Sequence, residues 1–302
     1  MNTDKYMTDK KANEQEREAL EKYLLQFLNI EKKFPLLPGI NNQNAIAGLM
    51  GLDTEELKKL RDLYRDNARE AARELLKEEE VTEWMGELPF QPDDTIVALG
   101  DSMTDDLQGW FLVFTHMLEI TIPEADFTFV NGGVSYNTTS EALRRLHVDV
   151  LSHEPDWVIV ALGTFDAIRL DFAPERTLLP LSETWENLNT IMSAIHQVTD
   201  HPVIWITPPP VIPGLLDEME FFDFDIRQED LDQIRHILTG KSGYIVDPLG
   251  HRMGDPPEAW YYLSDGINPS LSGHTHTVRA LLKSLATSIE QEGAGLDSLG
   301  DG

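Results

Sequence analysis

The chain has 302 residues, 41% of them hydrophobic, with no cysteine and a formal net charge of −29. That is enough chain for one domain of roughly 200 residues with a sizeable core plus an extension. The missing cysteines exclude disulfides, thiolate metal sites and a cysteine nucleophile.

The acidity is uneven: residues 1–90 hold 14 basic and 19 acidic side chains, residues 91–302 hold 10 and 34. The larger part therefore repels phosphate backbones and anionic lipid, which excludes a nucleic-acid or membrane-surface role for it. Adaptation to salt or acid and plain cytoplasmic acidity both fit this charge. No apolar run approaches the ~20 residues of a membrane span, and Met1-Asn-Thr-Asp-Lys5 is polar rather than a leader. A cytoplasmic location is the expectation.

Residues 1–90 carry helix signals almost throughout, and a helical segment over this range is expected. Glu14 to Leu28 puts Leu20, Tyr23, Leu24, Phe27 and Leu28 on one face, before Phe34-Pro-Leu-Leu-Pro-Gly39 breaks the pattern. A short apolar segment, Ala45 to Leu52, precedes Asp53-Thr-Glu-Glu56. Those four residues have capping-box spacing and predict a long charged helix to about Glu80. Two helices around a turn also have the form of a DNA-reading unit, but the mixed charge favours a packing or interaction cap. A homo-oligomer could form through it. Leu88-Pro-Phe-Gln-Pro-Asp-Asp94 has the composition of a linker.

From residue 91 to about 288 the pattern alternates. Apolar strand candidates are Thr95–Leu99, Phe127–Asn131, Trp157–Leu162, Val203–Thr207 and Tyr244–Val246, with helical stretches Leu107–Glu119, Ser140–Ser152, Glu183–Val198 and Glu229–Leu238. Strands that are apolar almost continuously are covered on both faces, so a parallel five-stranded sheet in a three-layer α/β/α sandwich of the flavodoxin-like kind follows. Residues 289–302 are Gly- and Asp-rich and are expected to form a flexible tail.

In such a fold a site lies beyond the carboxyl ends of the strands. Gly100-Asp-Ser102 follows the first candidate strand on a tight turn into a helix, where orphan N–H groups stabilise negative charge. Ser102 is the candidate nucleophile; the same turn fits a serine or threonine that merely caps the helix. The other strand ends are Asn131-Gly-Gly-Val-Ser-Tyr-Asn-Thr-Thr139, Gly163-Thr-Phe-Asp166 and Thr207-Pro-Pro-Pro-Val211, and Ser264-Asp-Gly-Ile-Asn-Pro-Ser-Leu-Ser-Gly-His274 precedes the last helix. No Gly-rich phosphate loop and no paired-histidine metal spacing appears, so no cofactor and no metal is expected.

These blocks, in this order over about residues 94–285, resemble the GDSL or SGNH hydrolases, and most closely bacterial members with a Gly-Asp-Ser-x-Thr-Asp-Asp first block. The resemblance implies an esterase or lipase acting on a small-molecule acyl ester. It assigns Ser102 as nucleophile and Asp265 as the acid of the last block. The oxyanion-hole glycine, three positions after Gly133, is Tyr136 here; the oxyanion asparagine is Phe165; the histidine base is Asn268.

The replacements weaken the expected chemistry. Tyr136 keeps an N–H but adds a phenol to a position suited to glycine. Phe165 donates nothing, and losing one oxyanion donor lowers the rate roughly 10²- to 10³-fold. Asn268 has no lone pair that titrates near neutrality. His251, His274 and His276 are the nearest histidines, and Asp101 and Asp265 are carboxylates of ordinarily low pKa. The alternative expectation is a non-catalytic descendant that binds an acyl or aromatic ligand or a protein partner. Asp217–Asp225 has the composition of an acidic lid, and Trp260-Tyr-Tyr262 suits either a pocket wall or the core.

Overall fold

The computed structural model describes residues 25–27, 29–216, 224–248 and 257–297. The expected helix over Glu14–Leu28 apart from residues 25–27, His251, and all of the acidic stretch but Phe224 and Asp225 lie outside them.

A five-stranded parallel sheet carries the fold, in the order β2-β1-β3-β5-β7. Its strands are β1 Thr95–Gly100, β2 Thr128–Gly133, β3 Trp157–Ala161, β5 Ile204–Ile206 and β7 Tyr244–Val246. Side chains alternate across each strand, so each one serves two cores. Ile96 and Ala98 of β1, Trp157 and Ile159 of β3, and Ile204 and Ile206 of β5 enter one core, shared with the helices Trp110–Thr121 and Leu271–Asp297. Val97, Leu99, Val158, Val160 and Trp205 enter the other, with the helices Thr139–Asp149, Leu181–Ile195 and Gln228–Thr239. The central strands β1, β3 and β5 are nearly all apolar because helices cover both their faces, while the edge strand β2 is partly exposed and carries Thr128 and Asn131.

The helix Thr54–Leu75 opens on the expected capping box, with Asp53 accepting from Glu56 N–H and Glu56 from Asp53 N–H. It stops five residues before Glu80. A turn at Leu76–Glu78 then redirects the chain into a separate helix, Glu79–Gly86, which buries Val81 and Met85 in the first core. The turn also brings Glu78 to Arg279 of the last helix, 2.9 Å away. Ala68, Ala72 and Leu75 enter the same core, so these helices pack on the α/β body.

Three further details depart from the expected elements. A short helix, Ser102–Asp105, follows β1 directly, and the next begins only at Trp110, because Leu107 gives its N–H to Gln26 and Gly109 takes the N-cap position. A small antiparallel pair, β4 Ile168–Leu170 with β6 Phe224–Ile226, lies outside the main sheet. The last helix, Leu271–Asp297, extends into the stretch where a tail was expected. Among the described residues no helix is long and apolar enough to cross a membrane.

Candidate active site

The end of β1 delivers Ser102. Gly100 has no room for a side chain, since a Cβ there would meet Thr104 Oγ1 at 2.0 Å. Asp101 takes the N-cap, its Oδ1 accepting from Met103 N–H at 3.1 Å. Ser102 therefore opens the short helix instead of capping it, and its Oγ accepts a hydrogen bond from Tyr136 N–H at 2.9 Å. Ser102 is fully buried.

Tyr136 reaches Ser102 through a left-handed backbone, φ 63°. This conformation costs a non-glycine residue about 1–2 kcal/mol, as expected of a position suited to glycine. The phenol ring packs edge-on against Phe165, centroids 5.2 Å apart, with Lys33 Nζ 5.5 Å from its centroid on another side. Phe165 is fully buried on the turn after β3. Tyr136 thus touches Ser102 through its backbone N–H and Phe165 through its ring.

Gly133 lies one step back from the site. Its N–H goes to Asn131 Oδ1 at 2.9 Å, and a Cβ would meet Asp105 N at 2.5 Å, so its smallness serves the contact between the β1 and β2 ends. Arg145 holds the same junction, donating to the carbonyls of Gly100 and Gly132 and to Asn137 Oδ1.

The last block is a tight, buried turn. Asp265 Oδ1 accepts from the N–H groups of Ile267 and Asn268, both at 2.9 Å, and Asp265 Oδ2 accepts from Asn268 Nδ2 at 2.7 Å. A carboxylate only accepts, so it fixes the amide with nitrogen toward Asp265 and oxygen away. That oxygen, Asn268 Oδ1, is buried with no hydrogen-bond partner. Ile267 shares the second core with Met103 and Phe165, and Pro269 lines a cavity of about 20 Å³ together with Asp101. The block thus stands beside the Ser102 turn, but no hydrogen bond joins Asn268 Oδ1 to Ser102.

The other candidate bases are placed as follows. His274 is fully buried and pairs through Nε2 with Asp106 Oδ2 at 2.9 Å; its Nδ1 has no partner. His276 Nε2 lies 3.0 Å from Pro248 O and its ring lies against Tyr261. Asp101 differs most from expectation: burial, reinforced by the nearby Asp166, pushes its carboxyl up to about 7, well outside the range of an ordinary aspartate. Asp166, also raised by burial, is held by Thr139 and Thr184. Of the aromatic triplet, Tyr262 is core, its OH bonded to Pro210 O at 2.6 Å, while Trp260 stays exposed.

Asp105 and Asp106 went unassigned in the sequence. Both are buried, and residues of the N-terminal segment partner them: Asn29 and Lys32 reach Asp105, and Gln26 reaches Asp106. The doubled acid three residues after the serine was the one available signal.

A serine on the turn after the first strand, a second-block N–H beside it, and an Asp-x-x-Asn turn before the last helix, all at one edge of a three-layer sheet, define the SGNH hydrolase scaffold. The chain belongs to the GDSL-like lipase/acylhydrolase family, whose model matches residues 98–276. An acetylxylan esterase of Geobacillus stearothermophilus is 22% identical over 223 residues, 64% of this chain and 94% of that protein. An arylesterase of Vibrio mimicus is 25% identical over 198 residues, 61% of this chain and 91% of that one. The crystal structure of a catalytic mutant of the Geobacillus enzyme shares the fold with a TM-score of 0.53 at 21% identity, over 65% of this chain and 95% of that one.

Proposed function

We propose that this protein keeps the acyl-ester hydrolase scaffold of its family, with Ser102 as nucleophile and Asp265 as the acid, but turns over carboxylic esters far more slowly than the scaffold allows. The observation that carries this reading is the partner of Asp265, the Asn268 carboxamide, which is not a base for the Ser102 proton. Attack on an ester carbonyl forms the Oγ–C bond and puts negative charge on the carbonyl oxygen. The Ser102 proton must leave, and later a proton must reach the departing alcohol. A histidine held by Asp265 would do both; the Asn268 carboxamide does neither.

Stabilisation of the oxyanion is reduced as well. The N–H groups of Ser102 and Tyr136 remain as donors, but in the resting site Tyr136 N–H is bonded to Ser102 Oγ and must move to the developing oxyanion. The third donor is replaced by Phe165, a loss of roughly 10² to 10³ in rate. Without the base, about 10³- to 10⁴-fold acceleration over water is the ceiling for binding and hole together. The chain's similarity to an acetylxylan esterase and an arylesterase supports a short acyl group on a sugar or an aromatic alcohol as the substrate class.

A second reading, a ligand- or partner-binding descendant, is favoured by one observation: the unpartnered Asn268 Oδ1, an acceptor suited to a ligand N–H or O–H. Hydrolysis of a short-chain aryl ester by the protein and by Ser102→Ala, from pH 5 to 9, separates the two. Slow turnover lost with Ser102 supports the first. Identical rates in both proteins overturn it in favour of the second.

A further inference from the structure

We infer that Asn29 and Lys32, which lie outside the family-matched residues, are positioning residues for the Tyr136 N–H and act on it through Asp105. The inference rests on the proposed reading only in calling that N–H an oxyanion donor.

The connection can be followed bond by bond. Asp105 is buried at the end of the short helix that begins with Ser102. Its Oδ1 accepts from Asn29 Nδ2 at 2.6 Å and Lys32 Nζ at 2.9 Å. Its Oδ2 accepts from Ser135 N at 3.0 Å and Ser135 Oγ at 2.9 Å. Ser135 is the residue before Tyr136, so the carboxylate that holds Ser135 by its N–H and by a share of its hydroxyl proton sets where the next N–H points. That N–H meets Ser102 Oγ at 2.9 Å.

Lys32 does more than neutralise a charge. An ammonium has three donors and no acceptor, and Lys32 Nζ meets three acceptors: Asp105 Oδ1 at 2.9 Å, Asn131 Oδ1 at 3.1 Å and Gly133 O at 3.0 Å. The first belongs to the β1 turn, the other two to the end of β2. One cation therefore clamps together the two loops that must stay in register for Ser102 and Tyr136 to meet. The single Ser135 hydroxyl proton is shared between Asp105 Oδ2 and Phe27 O, Lys33 Nζ bonds Ser135 O at 2.9 Å, and Asn29 Nδ2 reaches Asp105 O at 2.9 Å. The left-handed Tyr136 is held in that conformation by what grips its neighbour.

The family match starts at residue 98, so within it nothing supplies the Asn29 and Lys32 donors. If they are removed, Asp105 keeps a buried negative charge with half its donors and must turn or draw in solvent. Ser135 follows it, and the Tyr136 N–H leaves the serine.

Selective ¹⁵N-tyrosine labelling of the full chain gives a readout that needs no activity. The Tyr136 amide, assigned by its loss in Tyr136→Phe, should shift and exchange with solvent at least about tenfold faster in Lys32→Met and in Asn29→Leu. Lys32→Arg should restore part of the protection. Arg73→Ala, which breaks an exposed pair on another helix, should leave that amide unchanged. A Tyr136 amide unmoved in both Lys32→Met and Asn29→Leu overturns the inference, as does equal acceleration of all tyrosine amides, which would signal general loosening.

Kinetics test the functional half separately. In an Asn268→His, Phe165→Asn background, Lys32→Met should lower kcat about tenfold or more with KM nearly unchanged, as loss of a donor felt only in the transition state requires. A shifted amide in a background with no esterase activity would sustain the positioning role and sink the esterase reading. An active background indifferent to Lys32→Met would overturn the positioning of an oxyanion donor.

Discussion

Two buried aspartates face polar partners near the same sheet edge, and they divide the attributes of a catalytic pair between them. Asp265 stands in the last block, beside the serine turn, but holds a carboxamide. Asp106 holds an imidazole, His274, but the pair is sealed from solvent and tied to Gln26 and the Gln108 N–H at 2.8 Å each. On the reading proposed above, the first pair has the position without the titrating group; the second has the titrating group without the position. An Asp–His contact is therefore no signature of catalysis by itself, because the proton must have a substrate to go to.

The largest effect should come from giving the first pair what the second has. Asn268→His places an imidazole where Asp265 Oδ2 already receives a donor, so the ring would be oriented as it arrives. Combined with Phe165→Asn and Tyr136→Gly, it restores the base and the third donor. Short-chain aryl ester hydrolysis should rise by several powers of ten, since a base and a donor are each worth at least ~10². An equally inactive triple variant with an unchanged melting curve would mean that the cleft has been rebuilt for another purpose.

Breaking the second pair should affect stability and leave chemistry alone. His274→Ala strips Asp106 of one hydrogen-bond partner in a site without solvent; a buried acceptor left unsatisfied costs about 1–3 kcal/mol, and the cavity left by the ring adds to it. Urea denaturation should show that loss, while turnover per folded molecule of the triple variant stays the same. A kcat that fell with His274→Ala would give the buried imidazole a part in proton transfer.

The sequence made the sheet legible because each central strand is apolar on both faces, and that follows directly from helices covering both sides. Ser102, Tyr136 and Phe165 were legible as strand-end residues and Asp265 and Asn268 as members of the block before the last helix, and the strand order brought the first three into a chain of contacts. Three things were hidden. The Leu76–Glu78 turn was invisible because Leu, Lys and Glu favour helix, and a tertiary pairing, Glu78 with Arg279, accompanies the break. The role of Asn29 and Lys32 depended on contacts more than 70 residues distant in sequence. The third was the acidity of Asp101, which no local pattern encodes, because burial and not neighbouring sequence sets it.

Asp101 lines the small cavity with His274 of the second pair and with Pro269, the residue after Asn268 of the first, and it offers the finest test of the contrast. Its folded value of about 7 stands above the ordinary 3.8, so between those two values the folded protein holds a proton that the unfolded chain releases. Stability from this group is full below about pH 4 and declines as pH rises to about 7, by up to ~4 kcal/mol at 1.36 kcal/mol per unit. Asp101→Asn keeps an oxygen to accept the Met103 N–H and carries no charge. It should match wild type at pH 4, exceed it by a few kcal/mol at pH 8, and flatten that part of the stability curve. If the variant were no more stable than wild type at pH 8, the carboxylate would be ionised at little cost, with Arg145 or entering solvent compensating its charge. Asp101 would then stand apart from both sealed pairs as an aspartate in contact with solvent.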